Sequence, residues 1–117
     1  MEVRTIQTKC LSQHLRYQKG SEEVMLLIHG NGSSSVYWES FFALNNRHTL
    51  VAPDLRGYGK TEAKAVDAIK GYLDIVLDLD ELLAELQVDQ FHLLAHSLGG
   101  GVAWHLLHQM PERIKSL

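Results

Sequence analysis

The sequence of 117 residues contains a single cysteine, no long apolar run and no excess of basic side chains. The lone Cys10 excludes an internal disulfide and favours a reducing, cytoplasmic compartment. A net charge of -3 argues against a nucleic-acid-binding surface, which requires a basic stripe. No apolar stretch approaches the ~18 residues of a membrane span, and the N-terminus lacks the apolar region of a signal peptide. The length fits one domain, residues 1–117.

Apolar runs that alternate between strand length and helix length predict an α/β fold. The run at 24–28 is continuously apolar, which indicates a strand covered on both faces, as in a parallel sheet. The earlier strands are weaker, so we expect an antiparallel pair at one edge. We therefore predict a mainly parallel sheet with helices on both faces. The predicted strands are 3–8, 15–17, 24–28, 49–52, 91–95 and the start of one at 114–117; the predicted helices are 36–44, 72–86 and 98–110, with an exposed loop or loose helix at 61–70.

The stretch 91–101 joins a short apolar run to an amphipathic helix through small residues. Ser97 has Ala95 two positions before it and Gly99 two positions after it, which is the small-x-Ser-x-small pattern of a nucleophile elbow. Such a tight turn strains the serine backbone, and bulky side chains at 95 or 99 would collide across it. It also exposes the hydroxyl at a helix N-terminus, where free N–H groups favour negative charge. Ser97 is therefore a candidate nucleophile; the alternative is a structural turn.

Phosphate-binding loops fit the sequence less well. The pattern G-x-x-x-x-G-K-[ST] would need glycine at 54, where the chain has Asp54. The dinucleotide fingerprint starting at Gly30 would need glycine at 35, where the chain has Ser35. Neither kind of phosphate site is therefore predicted.

Histidines and acids at helical or strand spacing offer candidate metal ligands. Neither histidine pair has a clear third ligand, so we expect packing roles and predict no metal and no cofactor. The acids of the predicted helix 72–86 are expected to point outward as a solvated face. The histidine pairs are His92 with His96 and His105 with His108; the acids are Asp74, Asp78, Glu81 and Glu85.

An oxyanion hole needs two convergent N–H groups near the oxygen that gains charge. Leu98, the residue after the candidate nucleophile, supplies one of them. The loop after strand 24–28 has the sequence His-Gly-Asn-Gly at 29–32, and its glycines allow a close approach of the backbone. Because the carboxyl ends of parallel strands meet at one edge of a sheet, the amide of Asn31 is our candidate for the second donor.

Three motifs in order give the chain a resemblance to the N-terminal half of an α/β-hydrolase-fold protein, of the esterase, thioesterase and C–C-hydrolase group. They are His-Gly-Asn-Gly at 29–32, Asp-Leu-Arg-Gly-Tyr-Gly-Lys-Thr at 54–61 and Ala-His-Ser-Leu-Gly-Gly at 95–100. The resemblance implies that Ser97 attacks a small-molecule ester, thioester or similar acyl substrate. It also implies that Asn31 and Leu98 offer the oxyanion N–H groups.

The resemblance carries two further implications. Asp54 and Arg56 are expected to brace loops, and His29 is expected to be structural. A serine at position 97 argues against the dehalogenase and epoxide-hydrolase branches, which have an aspartate there.

The resemblance also implies a triad in the chain order Ser, acid, His, and the residues after Ser97 contain no Asp. Glu112 is the only acid there, and His105 and His108 lie on the helix that leaves the site. We therefore expect an N-terminal portion of a hydrolase, with little turnover on its own. One alternative is a non-catalytic chain that pairs with a second copy or a complementary half through an open edge of strand 91–95. Another alternative is a module that binds an acyl group without cleaving it.

Overall fold

The computed structural model describes residues 1–45, 47–66 and 71–117. Within these ranges the strands are β1 (Glu2–Gln7), β2 (Ser12–Gln18), β3 (Val24–Ile28), β4 (Thr49–Pro53), β5 (Phe91–Ala95) and β6 (Ile114–Ser116). The helices are α1 (Glu39–Leu44), α2 (Leu73–Glu85) and α3 (Leu98–Gln109), and short 3-10 helices cover Ser35–Trp38 and Pro111–Arg113. Of the predicted segment 61–70, residues 62–66 are exposed and outside helices and strands, and 67–70 lie outside the described residues. No helix in the described ranges is long and apolar enough to cross a lipid bilayer.

The strands form one sheet in the order β1-β2-β4-β3-β5-β6. β2 pairs antiparallel with β1 and with β4, whereas β4, β3, β5 and β6 run parallel to one another. This arrangement confirms the predicted α/β class and the antiparallel pair at the N-terminal edge. Since β3, β4 and β5 are parallel, their carboxyl ends meet at one edge of the sheet, where sites form in folds of this kind.

Side chains of the central strands alternate between two apolar cores on opposite faces of the sheet. Leu26 and Ile28 of β3 belong to the larger core, which α2 and α3 cover. Leu27, between them, packs on the other face with Trp38 and Phe42. Both faces of β3 are therefore buried, which is why every position of the run 24–28 is apolar.

The predicted helix at 36–44 is two shorter helices in the structure. The hydroxyl of Ser34 accepts a hydrogen bond from the N–H of Val36 at 3.3 Å and caps a 3-10 helix, after which α1 begins. The apolar stripe is narrower than predicted, because Trp38 and Phe42 are buried but Leu44 is 86% exposed. Leu44 comes two residues after Phe42 in α1, so the helical period directs it away from the face that Phe42 buries.

One acid predicted to lie on the surface is buried. The side chain of Asp78 is 1% exposed and accepts hydrogen bonds from the Arg56 guanidinium at 2.8 Å and 2.7 Å. The prediction that every acid of this helix points outward was therefore wrong for Asp78, because a charge partner arrives from the loop after β4 and compensates its burial. The same pair ties that loop to α2.

The edge of the sheet is β6 rather than β5. β6 pairs in parallel with the first two residues of β5, so the prediction of an open edge along the whole strand 91–95 was wrong. Arg113, just before β6, holds the chain next to the start of β5. Its guanidinium donates hydrogen bonds to the carbonyl oxygens of Val88 at 3.0 Å and Asp89 at 2.8 Å. Exposure on β5 is concentrated at Leu94, which is 36% exposed.

Candidate active site

Ser97 occupies a strained turn between β5 and α3. Its φ of 56° and ψ of -119° lie in a region that side-chain-bearing residues rarely adopt. The turn is closed by hydrogen bonds from the N–H of Gly99 to His96 O at 2.9 Å and from the N–H of Gly100 to Ser97 O at 2.8 Å. Ser97 is exposed and occupies the N-cap position of α3, where its side chain makes no capping hydrogen bond. The predicted strain and exposure of the elbow are confirmed.

Gly99 is required because the first turn of α3 packs on β3. A Cβ at position 99 would lie 2.6 Å from Ile28 O and 2.7 Å from His29 O. The collision predicted at this position exists, but the crowding atoms belong to the neighbouring strand rather than to the elbow itself. The absence of a side chain at position 99 therefore allows the elbow to lie close to the loop that follows β3.

Replacing Gly99 with alanine is expected to destabilise the protein by about 1–3 kcal/mol, because two backbone carbonyls must move to admit the methyl group. Gly100→Ala is the matched control, since a Cβ there meets nothing within 4 Å. In a helix that substitution is expected to stabilise by about 0.5–1 kcal/mol. Urea denaturation of the two variants measures both effects, and equal stability of the two would contradict the assigned crowding.

The loop after β3 lies directly against the elbow. A Cβ added to Gly30 would lie 3.0 Å from the Ser97 Cβ, so Gly30 permits this approach. The N–H of Ser33 donates to Gly30 O at 3.3 Å and closes a turn in which Gly32 has a φ of 69°, the value that a type II turn requires at its third residue. Asn31 is the exposed second residue of this turn.

Both predicted oxyanion residues are neighbours in sequence of positions at the elbow: Leu98 follows Ser97, and Asn31 follows Gly30, which lies against Ser97. Leu98 is the first residue of α3, where the backbone N–H has no carbonyl in the preceding turn to accept it. Among the described residues, neither of these N–H groups donates a hydrogen bond to a backbone carbonyl. The assignment of these two amides as oxyanion donors stays a prediction.

The loop after β4 braces the loop after β3, as the resemblance implies. Asp54 is buried, and its carboxylate accepts hydrogen bonds from the N–H of Ser35 at 2.6 Å and of Lys60 at 2.9 Å. Gly59 has a φ of 52°, and any side chain there would overlap the Asp54 carboxylate. The carboxylate thus joins the two loops that flank the elbow.

His29 is a structural residue and not a base. Its Nδ1 lies 2.8 Å from Gly30 O, which only accepts, so Nδ1 carries the proton. Its Nε2 accepts a hydrogen bond from the N–H of Leu55 at 3.0 Å. Complete burial lowers the pKa of His29 below its ordinary value, so the imidazole is neutral and both of its nitrogens are engaged.

Within the described part of the chain, nothing hydrogen-bonds to the Ser97 hydroxyl. His96 stacks on Tyr37 at 4.7 Å. His105 lies eight residues further along the chain in α3, about 12 Å along the helix axis, and its Nδ1 donates to Gly101 O at 3.1 Å. His108 is exposed and lies about three helical turns from the elbow. The triad base is therefore absent from the surroundings of Ser97 among these residues.

The candidate metal ligands have other partners. His92 Nδ1 lies 2.6 Å from the Ser116 hydroxyl, and its ring packs edge-on against His48 at 5.6 Å. No group of three or more His, Cys, Asp or Glu side chains in ranges 1–45, 47–66 and 71–117 is arranged to hold a metal ion.

Tyr58 also belongs to this site, although it was not among the residues predicted from the sequence. Its hydroxyl donates a hydrogen bond to Asn31 Oδ1 at 2.5 Å. Its position between Gly57 and Gly59, both with positive φ, is the only local signal, because glycines on both sides let the backbone turn one aromatic ring toward the neighbouring loop.

Comparisons with known proteins agree with this geometry. The sequence matches the family model of the alpha/beta hydrolase fold over residues 23–117. Epoxide hydrolase 3 of Siraitia grosvenorii is 34% identical over 115 residues, which are 97% of this chain and 36% of that protein. A Variovorax paradoxus protein named as a carbamate hydrolase is 34% identical over 97 residues, 81% of this chain and 36% of its own length. The crystal structure of an epoxide hydrolase from Vigna radiata superposes with a TM-score of 0.86 at 36% identity, over 97% of this chain and 37% of that one.

The chain spans about a third of the length of the curated relatives it matches. The portion matched by the family model contains strands β3 to β6, the elbow and both flanking loops, whereas β1 and β2 precede it. Sequence, sheet topology and elbow geometry therefore agree that this chain belongs to the alpha/beta hydrolase fold family.

Proposed function

We propose that residues 1–117 form the nucleophile-bearing part of a serine hydrolase that cleaves an ester, thioester or similar acyl bond. The observation that carries this proposal is the exposed Ser97 on a strained turn at a helix N-terminus, with the Gly30 backbone against it. The base and the acid of the triad come from outside these residues. The single Cys10 supports a cytoplasmic location.

The proposed reaction has two steps. The Ser97 oxygen attacks the substrate carbonyl carbon while its proton passes to the base, and the carbonyl electron pair moves onto oxygen. The N–H groups of Asn31 and Leu98 stabilise that oxyanion, and loss of one such donor costs about 100- to 1000-fold in rate. The leaving alkoxide or thiolate takes the proton, and water then attacks the acyl-Ser in the same way, which releases the acid and restores the serine.

Epoxide hydrolysis is the main rival, since two of the relatives above are named for it. Attack on an epoxide by the Ser97 oxygen would form an ether. Water does not cleave an ether near neutral pH, so the enzyme could not turn over. A carboxylate nucleophile instead forms an ester that water can cleave. Position 97 is serine, and the carbamate hydrolase relative acts by its name on an acyl group; both favour acyl chemistry.

Trapping the acyl intermediate tests the proposal. The chain 1–117 and the polypeptide that continues its reading frame are each mixed with p-nitrophenyl acetate, quenched in acid and mapped by peptide mass. We expect an acetyl group on Ser97 in the longer polypeptide and little turnover by residues 1–117 alone. Styrene oxide is the comparison substrate, and no diol is expected. Formation of diol without ester cleavage, or an acetyl group on another residue, would overturn the proposal.

A further inference from the structure

A single side-chain hydrogen bond ties Asn31 to the rest of the molecule. Asn31 and Gly32 are exposed, and the turn that contains them is closed by one long hydrogen bond of 3.3 Å between Ser33 and Gly30. Among the described residues, only the Tyr58 hydroxyl bonds to the Asn31 side chain, at 2.5 Å. The backbone amide proposed as an oxyanion donor therefore lies in an exposed turn that few hydrogen bonds stabilise.

Tyr58, by contrast, is firmly held. Its N–H donates to Leu55 O at 2.9 Å, and its carbonyl oxygen accepts from the N–H of Thr61 at 3.1 Å. Its ring meets the buried His29 ring edge-on at 5.2 Å and packs against the larger core. A fixed ring that ends in a hydroxyl is a suitable support for an exposed turn, because few torsions remain free between the backbone and the hydroxyl.

We propose that Tyr58 is a positioning residue for the hydrolysis, which holds Asn31 so that its backbone N–H points at the developing oxyanion. This inference rests on the proposed function. Tyr58 donates a hydrogen bond to Asn31 Oδ1, keeps its proton and takes no part in proton transfer. Its effect is one of geometry, because an oxyanion donor acts only at about 2.7–3.1 Å from the charged oxygen.

The support predicts a specific kinetic signature. Tyr58→Phe is expected to lower kcat about 3- to 10-fold, the range of one neutral hydrogen bond, with KM little changed because the ground-state carbonyl carries no full charge. Asn31→Ala keeps the backbone amide and loses only the side-chain acceptor, so the same loss is expected. The double variant is expected to match either single variant, since both remove one interaction.

Tyr17 provides the control for Tyr58→Phe. Tyr17→Phe removes a hydroxyl from β2, where the ring contacts Arg4 instead, and is expected to leave kcat unchanged. A purely structural role for Tyr58 would instead lower thermal stability with no kcat-against-KM split. Unchanged kcat in Tyr58→Phe, or losses that multiply in the double variant, would overturn the inference.

Amide hydrogen exchange separates this inference from the proposed function. Exchange of the Ser33 amide, which closes the turn, is expected to be faster in Tyr58→Phe than in the wild type or Tyr17→Phe; equal exchange overturns the inference whatever the activity. If Ser97→Ala abolishes hydrolysis while Tyr58→Phe changes neither kcat nor exchange, only the inference fails. If Ser97→Ala keeps full activity, the proposed function fails, and with it the oxyanion role given to Tyr58.

Discussion

Replacing Ser97 with alanine is expected to lower ester hydrolysis by the intact enzyme roughly 10⁴- to 10⁶-fold. The substitution removes the oxygen that forms the acyl bond, while the Asn31 and Leu98 amides that would hold the substrate carbonyl remain. KM should therefore change little compared with kcat. Ser12→Ala, on β2 away from the elbow, is the matched control with full activity. Steady-state kinetics with a p-nitrophenyl ester measure both, and a loss under tenfold would rule out Ser97 as the nucleophile.

The backbone strain at Ser97 should affect the stability of the protein separately from its activity. With a φ of 56°, Ser97 stores backbone strain that costs about 1–3 kcal/mol. Alanine keeps this strain, so Ser97→Ala should be about as stable as the wild type. Ser97→Gly relieves it and is expected to be more stable by about 1 kcal/mol, after the entropy that glycine adds to the unfolded chain, yet equally inactive. Urea denaturation decides this, and a less stable glycine variant would show that the turn is not strained.

Local patterns explain which parts of the fold could be predicted. The continuous apolar run of β3 indicates burial on both faces, because each residue of a strand faces a predictable side. The small residues around Ser97 indicate the elbow for a similar reason, since Gly99 has no room for a Cβ. Alternation of strands and helices then leaves few topologies, and all of them place the loops after β3, β4 and β5 together.

Contacts between residues distant in sequence explain what was missed. Helical periodicity treats every acid of α2 alike, so it cannot distinguish Asp78, whose partner Arg56 lies 22 residues earlier. The bond between Tyr58 and Asn31 spans 27 residues and joins two polar groups with no periodic signal. The return of the chain to β5 depends on Arg113, whose partners Val88 and Asp89 precede β5.

Asp78→Ala is expected to destabilise the protein by about 3–5 kcal/mol. The variant leaves the Arg56 side chain, only 10% exposed, as a buried charge without its carboxylate. Burial raises the pKa of Asp78 although Arg56 acts in the opposite direction, and the hydrogen bonds to Asp78 raise the pKa of Arg56; each charge therefore depends on its partner in a site that disfavours an unpaired charge. Urea denaturation measures the loss.

Two comparisons distinguish this explanation from a general effect of removing an acid. Asp80→Ala breaks a pair with Arg113 that has the same 2.7 Å separation, but Asp80 is 44% exposed, so the expected loss is about 1 kcal/mol or less. The double variant Arg56→Met with Asp78→Leu replaces both charges with apolar groups and should be more stable than Asp78→Ala. If Asp78→Ala and Asp80→Ala were equally mild, burial would not govern the pair.

The Asp78 variant is also expected to affect catalysis, because of where Arg56 lies. Arg56 pins the loop after β4 to α2, and two residues later the same loop supplies Tyr58, the support of Asn31. Loosening this anchor should lower kcat in the same way as Tyr58→Phe, whereas the apolar double variant, which restores packing but not the fixed hydrogen bonds, should recover stability without recovering kcat. Recovery of both together would mean that packing alone positions the loop.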